Sequence, residues 1–389
     1  MLVRRAPYAS DPAQTRGRLF PQPPSPTRTD FQRDRDRIVH STAFRRLAYK
    51  TQVFVHAEGD HFRTRLTHTI EVAQIARALS RALGLDDDLA EAIALGHDLG
   101  HTPFGHTSED ALDACLSAHG GFDHNSHGLR LVTELERRYA DFDGLNLTQE
   151  TLEGLVKHNG PLLTLGGEPT RRKVSEAILA FDKRQGLDLA SHASLEAQAA
   201  AIADDIAYNA HDIDDGLRAG LFSIEEIRAV PFIGALLAEI EIWRPHLEPA
   251  RKIHELTRRV ITRFIEDAIV QSGRLIADSG IASAAEARAA GRTLVALSES
   301  FDEADRQIKA FLFSHMYRHE HVNRVREKAD AILRALYGAY CAAPQEMSEG
   351  WSERACGRER ASADYIAGMT DRFAIREYRR LFDPNASLV

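Results

Sequence analysis

Apolar residues recur at spacings of three and four through most of the chain, which is the pattern of amphipathic helices. In the clearest case, from His68 to Leu83, isoleucine, alanine and leucine form one face, and Gly84 ends the run. Asp86 is the predicted N-cap of the next helix. Further helices are predicted from Asp30, at 108–118, 126–139, 148–158 and 171–184, from Ser194 to Arg218, after the Ser223–Glu226 capping box, and at about 249–279, 300–316, 320–339 and 362–381.

Strand-forming residues are concentrated in one short stretch. Val53, Phe54 and Val55 lie between polar flanks, and the E-G-D triplet that follows is typical of a turn. The pattern predicts a β-hairpin at about 51–64. The predicted fold class is therefore all-α, with this short hairpin as the exception.

The N-terminal 30 residues differ in composition from the rest, since six of them are proline. Proline lacks an amide donor and restricts the residue before it, so helix and central strand are disfavoured here. This arm (1–30) is either a loose tail or a segment laid over a neighbour or a site. The helices that follow are divided into a core at 31–220 and a helical C-terminal portion at 221–389.

Composition indicates the general class of protein but not its function. The apolar share of 43% and the charged share of 27% are ordinary for a soluble globular chain of 389 residues. A net charge of −8 argues against a generally basic surface for nucleic acid, although a local positive cleft is compatible with it. The three cysteines form no C-x-x-C pair, the N-terminus lacks a signal-peptide pattern, and no apolar run is long enough to span a membrane. We expect a soluble cytoplasmic protein.

The candidate chemistry is concentrated in L-G-H-D-L-G-H-T-P-F-G-H, at 95–106. Adjacent helical residues point about 100° apart, so His97 and Asp98 share one ion only where a helix ends. Gly100 and Pro103 supply such an end. Two ligands are too few for a tight metal site, so others must come from distant parts of the chain.

Two distant segments offer those ligands. His68 opens a helix, and Asp204, Tyr208 and Asp212 recur at i, i+4 and i+8 on one face of an acidic helix. Two imidazoles and two carboxylates leave up to two octahedral positions for water and a substrate oxygen. Such a set favours Mn, Fe, Co, Ni or Zn by intrinsic affinity, whereas Mg prefers oxygen ligands but is abundant.

These residues resemble the H…HD…D signature of HD-domain metal-dependent phosphohydrolases. A closer resemblance, to the bacterial deoxyguanosine triphosphate triphosphohydrolase family and its animal relative, the SAM- and HD-domain dNTPase, extends from about Arg16 to the last helices. It depends on F-Q-R-D-R-D-R-I-V-H-S-T-A-F-R-R-L (31–47), K-T-Q-V (50–53), H-D-L-G-H-T-P-F-G-H (97–106) and A-D-D-I-A-Y-N-A-H-D (203–212). The fold it implies is an HD-domain helical bundle.

The resemblance implies a divalent metal ion, Mg or Mn in the first place and Fe, Co, Ni or Zn as alternatives. The ligands it implies are His68, His97, Asp98 and Asp204. Asp204 is preferred to the adjacent Asp205 because its spacing matches the family's Asp…Tyr…Asp pattern.

The resemblance also implies roles around the metal. His106 is the expected proton donor, with Glu109 as its acidic partner, and His101 and His124 are expected to face the phosphates. A carboxylate beside a histidine orients and charges it for such a role. The remaining implied substrate contacts are Arg46, Gln52, Arg65, Tyr208, Asp212, Lys309 and Tyr317, with Tyr208 and Asp212 holding the sugar.

The implied activity is hydrolysis of deoxynucleoside triphosphates, dGTP or a broader set, to deoxynucleoside and inorganic triphosphate. Two alternatives stay open: another HD-type phosphohydrolase, such as a 5′-nucleotidase or phosphodiesterase, and a nucleotide- or DNA-responsive binding protein with residual activity. We expect a homo-oligomer without membrane contact, in which the C-terminal portion completes the pocket and supplies subunit contacts. A nucleotide effector or single-stranded DNA is a further candidate partner.

Asp214 and Asp215 are expected to form a solvated acidic helix end.

Overall fold

The computed structural model describes residues 5–53, 62–170, 173–353 and 356–388, apart from the side chain of His106. β-Type backbone pairing between described residues is confined to isolated bridges, and the fold is all-α, as predicted. No helix among these residues is long and apolar enough to cross a membrane. The α-helices of the described residues are α1 Asp30–Val39, α2 Thr42–Arg46, α3 Arg65–Leu83, α4 Asp87–Gly96, α5 His106–Cys115, α6 His124–Arg130, α7 Gln149–Lys157, α8 Glu176–Gln185, α9 Leu195–Arg218, α10 Ile224–Ile227, α11 Pro231–Trp243, α12 Pro249–Ser279, α13 Ala284–Ala289, α14 Glu299–Leu312, α15 Glu320–Ala342, α16 Arg358–Ala367 and α17 Asp371–Leu381.

The helix boundaries follow local capping chemistry. α3 begins at Arg65, three residues before the predicted start, because Thr64 forms a capping box with Thr67. It ends at Gly84, whose φ of 71° is left-handed, as the sequence predicts. Asp86 caps α4 by accepting from the Leu89 amide, also as predicted.

Several predicted segments differ from the observed helices. The helix predicted at 362–381 is two helices, because the chain breaks after Ala367 and Thr370 caps α17. The helix predicted at 171–184 begins only at Glu176, behind a Ser175 cap. Two helices that were not predicted, α11 and α13, lie in the C-terminal portion.

The predicted hairpin is tested only at its ends. Thr51 and Thr64 form an antiparallel bridge. Residues 54–61, including Phe54 and Val55, lie outside the described residues.

Three mutually packed helices form the centre of the molecule. α3 packs against both α4 and α9, and α4 also packs against α9. Their facing side chains are buried, among them Leu79 of α3, Ile93 of α4 and Ile206 of α9. Complete burial of each such side chain stabilises the fold by roughly 1.5–3 kcal/mol. The helices that carry the predicted metal ligands are therefore held together by the core.

A second apolar cluster joins α5 to the C-terminal helices. Leu112 of α5 packs in one buried cluster with Leu333 and Leu336 of α15, Ile366 of α16 and Ala374 of α17. α5 carries Glu109, so the C-terminal helices support one side of the predicted catalytic region.

The proline-rich arm packs against the helical core. The amide and hydroxyl of Ser10 donate to Glu196 of α9 over 2.8 and 2.9 Å. Arg18 pairs with Asp30 over 3.0 Å and also contacts the buried Asp34. The described part of this arm is therefore a segment laid over the helical core, and not a loose tail.

Candidate active site

The central helices bring three predicted metal ligands together. His68 lies in the first turn of α3, His97 follows the last residue of α4, and Asp204 is in the middle of α9. One ligand atom of each lies within 4.8 Å of the others. The His68 Nε2 atom is 2.9 Å, and the His97 Nε2 atom 3.5 Å, from Asp204 Oδ1. We call these three residues the metal group.

The chemistry of the metal group fits a cation. His97 Nδ1 donates to the Ala94 carbonyl over 2.6 Å, so Nε2 is the nitrogen available to a metal ion. That Nε2 atom is buried and makes no hydrogen bond with any described residue. Although burial lowers the pKa of His97, Asp98 and Asp204 raise it to about 9, so the group attracts positive charge. Imidazole and carboxylate ligands suit a divalent transition metal.

Asp98, the fourth predicted ligand, lies beside this group. Its Oδ1 atom is 3.5 Å from His97 Nε2 and 3.0 Å from His101 Nε2. Its Oδ2 atom accepts from Arg65 over 2.9 Å, and both side chains are buried. Arg65, predicted as a substrate contact, therefore holds a carboxylate of the metal site. Asp98 remains a predicted ligand.

The geometry also bears on the choice between Asp204 and Asp205. Asp205 accepts from Lys309 Nζ over 2.7 Å, on a different side of α9 from the metal group. Lys309 also lies 3.0 Å from Asp305. Lys309 was predicted to contact the substrate, and in this structure it forms ion pairs within the protein. Asp204 contacts both histidines, which favours it as the ligand.

A second group of side chains adjoins Asp98. His101, Glu109 and His124 offer ligand-type atoms within 4.8 Å of one another, and we call them the acid–base group. Glu109 Oε1 lies 2.8 Å from His124 Nδ1 and accepts from the His124 amide over 3.0 Å. The His101 and His124 rings stack 4.0 Å apart. Burial lowers the pKa of His124. The contact with Glu109 raises this pKa, and the net shift is upward. A histidine held in this way is suited to donate a proton.

The loop between α4 and α5 carries the histidines and has unusual backbone geometry. Phe104 and Gly105 have positive φ angles of 61° and 74°. The Phe104 amide donates over 2.9 Å to Asp371, at the start of α17. The buried Lys50 ammonium donates to the carbonyls of His101 and Ala367. The C-terminal portion therefore fixes this loop from outside.

Gly100 allows α6, which carries His124, to approach this loop. A Cβ atom at Gly100 would lie 2.0 Å from the His124 carbonyl oxygen and 2.5 Å from the Gly128 nitrogen. Because both are backbone atoms, the clash is relieved only by moving α6.

We expect Gly100→Ala to destabilise the protein by about 3 kcal/mol or more, at the upper end of overpacking costs. Gly273→Ala is the matched control, because no atom lies within 4 Å of the added Cβ in α12. That control should be neutral or stabilising, by about 0.5–1 kcal/mol. Chemical denaturation measures both, and equal stabilities of the two variants would contradict this packing.

A cavity opens between the loop, α9 and α15. Its lining includes Gln52, Gly105, Tyr208, Tyr317 and the apolar Val322. The two tyrosine rings lie 6.3 Å apart, with an interplanar angle of 26°. Such a pair offers flat faces to a sugar or base.

The cavity has a buried carboxylate beside one of these tyrosines. The Tyr317 hydroxyl contacts Asp212, whose pKa burial raises well above its usual value. Arg326 donates to the Tyr317 carbonyl over 2.9 Å and also lines the cavity. The structure thus groups the predicted sugar contacts Tyr208 and Asp212 with Tyr317, another predicted substrate contact.

Two further predicted residues are Arg46 and His106. Arg46 ends α2 and is partly buried, and its Nε atom makes no hydrogen bond with described residues. His106 is the first residue of α5, but its side chain lies outside the described part of the chain. The pairing of a histidine with Glu109 is seen at His124.

The expectation of a solvated acidic end at Asp214 and Asp215 is wrong. Their side chains are only 5% exposed, and both pair with Arg63, over 2.8 and 2.9 Å. Arg63 precedes α3, so these carboxylates join the end of α9 to the start of α3.

Sequence reasoning missed several residues near the metal group. His211 contacts His68, and Glu71 contacts His211. His158, at the end of α7, is half-buried, and desolvation together with the charge of His97 lowers its pKa to about 4. A spacing of three from His68 to Glu71 and of seven from Asp204 to His211 would have placed the first two on the ligand faces of their helices.

Comparison with known proteins gives an independent assignment. A family model for the HD domain matches residues 65–209, and one for the phosphohydrolase-associated domain matches 295–380. The chain is 58% identical to a deoxyguanosinetriphosphate triphosphohydrolase-like protein of Rhizobium etli (strain CIAT 652), over 99% of this chain and 96% of that protein. It is 59% identical to the protein of that description in Sinorhizobium medicae, over 98% and 96%.

The matched HD region contains the metal group and the acid–base group, and the matched C-terminal region contains α14 to α16 and most of α17. A similarity of this extent covers the fold, both groups and the helices that support them. The chain therefore belongs to the deoxyguanosinetriphosphate triphosphohydrolase-like family of HD-domain proteins, and it is a metal-dependent nucleotide phosphohydrolase.

Proposed function

We propose that the protein hydrolyses deoxynucleoside triphosphates, dGTP among them, to deoxynucleoside and inorganic triphosphate. One observation carries the proposal: Asp98 lies between the metal group and the acid–base group, 3.5 Å from His97 and 3.0 Å from His101. A phosphate positioned there is within reach of both a cation and a proton donor. The adjacent cavity supplies a place for the nucleoside.

The proposed metal holders are His68, His97 and Asp204, with Asp98 as the fourth ligand. A bound divalent ion supplies Lewis-acid polarisation of the phosphoryl group and of water. The buried Arg65, paired with Asp98, keeps a fixed positive charge beside the triphosphate site. Mg and Mn are the proposed ions.

The proton for the leaving group comes from His124 in this proposal. Water adds to the α-phosphorus and loses a proton to solvent, the bond from that phosphorus to O5′ breaks, and O5′ takes the His124 proton to become the 5′-hydroxyl of the nucleoside. A proton from solvent then restores His124. Glu109 engages Nδ1 of His124 over 2.8 Å, and Nε2 is the nitrogen that we assign to the proton transfer. The catalytic role predicted for His106 stays a prediction, and His101 stacks on the donor ring.

The nucleoside is proposed to lie between Tyr208 and Tyr317, with the Asp212 carboxylate accepting from the 3′-hydroxyl. Both tyrosines line the cavity, and the contact between Asp212 and Tyr317 places the carboxylate beside it, which supports this placement. Gln52 lines the same cavity, and its Oε1 atom has no hydrogen-bond partner among the described residues.

A homo-oligomer, a nucleotide effector, single-stranded DNA and a cytoplasmic location stay predictions.

The products of dGTP hydrolysis test the proposal. Incubation with Mn²⁺ or Mg²⁺ in ¹⁸O-water, followed by ³¹P NMR, should give inorganic triphosphate carrying ¹⁸O on a terminal phosphorus. Orthophosphate as the first product would instead indicate a nucleotidase-type reaction. Absence of turnover of every dNTP with every divalent metal would favour the binding-protein alternative.

A further inference from the structure

His211 is a buried histidine for which the proposed reaction has no use. It lies on α9, seven residues after Asp204, and its side chain is 1% exposed. Its Nδ1 atom lies 3.0 Å from Nδ1 of His68, and the two rings meet edge to face at 82°. It therefore contacts a metal ligand on the side away from the metal group.

The other nitrogen of His211 contacts a carboxylate. Its Nε2 atom contacts Glu71, which lies one helical turn after His68 on α3. Arg63 holds Glu71 from the far side over 3.5 Å and is itself anchored by Asp214 and Asp215. The contacts run in series from Arg63 through Glu71 and His211 to His68.

The hydrogen positions along this series follow from one another. His68 directs Nε2 toward Asp204, so ligation by Nε2 requires its hydrogen to be on Nδ1. That hydrogen is donated to Nδ1 of His211, which must then carry its own hydrogen on Nε2, the atom that contacts the Glu71 carboxylate. A carboxylate at the end of such a series orients the ligand ring and makes its free nitrogen a stronger donor to a metal.

The ring of His97 is oriented by a different kind of partner from the ring of His68. Its Nδ1 atom donates to the Ala94 backbone carbonyl, so the chain itself sets its orientation. His68 directs its Nδ1 atom to the His211 side chain, 3.0 Å away. The orientation of His68 therefore depends on side chains.

We propose that His211 and Glu71 act in series as positioning residues that orient His68 and strengthen the binding of the divalent ion. This inference rests on the proposed function, because it takes the metal group as the site of that ion. Neither residue is a catalytic residue, and both act through His68.

The test measures binding of Mn²⁺ alone, by calorimetry or by electron paramagnetic resonance, without substrate. His211→Phe and Glu71→Gln should each weaken Mn²⁺ binding, within about the 10–100-fold range typical of outer partners of a ligand. His127→Phe is the matched control, because His127 is also a buried histidine beside a carboxylate, 3.3 Å from Asp364. Its Mn²⁺ affinity should equal that of the wild type.

Melting temperatures of the metal-free variants separate a binding effect from misfolding. Glu71 is 38% exposed, so Glu71→Gln should fold even if His211→Phe does not. In the double variant, Glu71→Gln should cause no further loss, because Glu71 acts only through His211. Additive losses, or wild-type affinity in Glu71→Gln, would overturn the inference. Failure of the wild type to bind Mn²⁺ would instead overturn the proposed function.

Discussion

Asp204→Asn is expected to abolish measurable Mn²⁺ binding and to lower kcat/KM for dGTP by at least about 10³-fold. Burial disfavours the charged carboxylate, but His97 and His68 together hold its pKa far below the usual range, so it is an anion at any working pH. Asparagine keeps the size and loses the charge. Metal-assisted stabilisation of the transition state amounts to several kcal/mol, and each 1.36 kcal/mol corresponds to a factor of about ten.

Asp205→Asn is the matched control, since it makes the same change one position along α9. The Asp205 carboxylate is 54% exposed and pairs with Lys309. Its loss should leave Mn²⁺ affinity unchanged in calorimetry. Loss of Mn²⁺ binding in Asp205→Asn, with retention in Asp204→Asn, would contradict the ligand assignment.

His124→Asn is expected to lower kcat by about 10²–10⁴-fold, the usual contribution of a positioned acid or base, with unchanged Mn²⁺ affinity. A triphosphate ester of p-nitrophenol provides the internal control, because its leaving group departs without protonation. On that substrate the variant should lose far less activity. Equal losses on both substrates would contradict a proton-donor role for His124, and selective loss in His106→Asn would transfer that role to His106.

The pH profile provides a second test of the same role. Burial lowers the pKa of His124 and Glu109 raises it, with a net upward shift, so the acid form persists above the ordinary range. Activity that needs this acid is present below the raised pKa and is lost as the pH rises through it. Glu109→Gln removes the upward contribution, so the alkaline limb of kcat should move to lower pH. An unmoved limb would contradict the pairing.

Local patterns were sufficient to predict much of the fold. The apolar face of α3, with Gly84 at its end, and the Asp86 cap of α4 are properties of neighbouring residues. The ligand motif at His97 and the acidic face of α9 are likewise local, and these helices meet because their apolar faces pack together.

What the sequence did not predict depends on contacts between distant residues. His68 meets His211 across 143 positions, and Lys50 reaches Ala367 across 317. The burial of Asp214 and Asp215 depends on Arg63, about 150 residues earlier in the chain. No spacing rule within one helix reports such contacts. The break between α16 and α17 was missed because the cap at Thr370 lies within a continuous apolar pattern.

Anomalous diffraction from crystals grown with Mn²⁺ locates the metal ion. The described residues offer two groups of ligand-type side chains, the metal group and the acid–base group of His101, Glu109 and His124. One strong peak is expected at coordinating distance from Nε2 of His68, Nε2 of His97 and a carboxylate oxygen of Asp204. A peak at the acid–base group, with none at the metal group, would contradict this location.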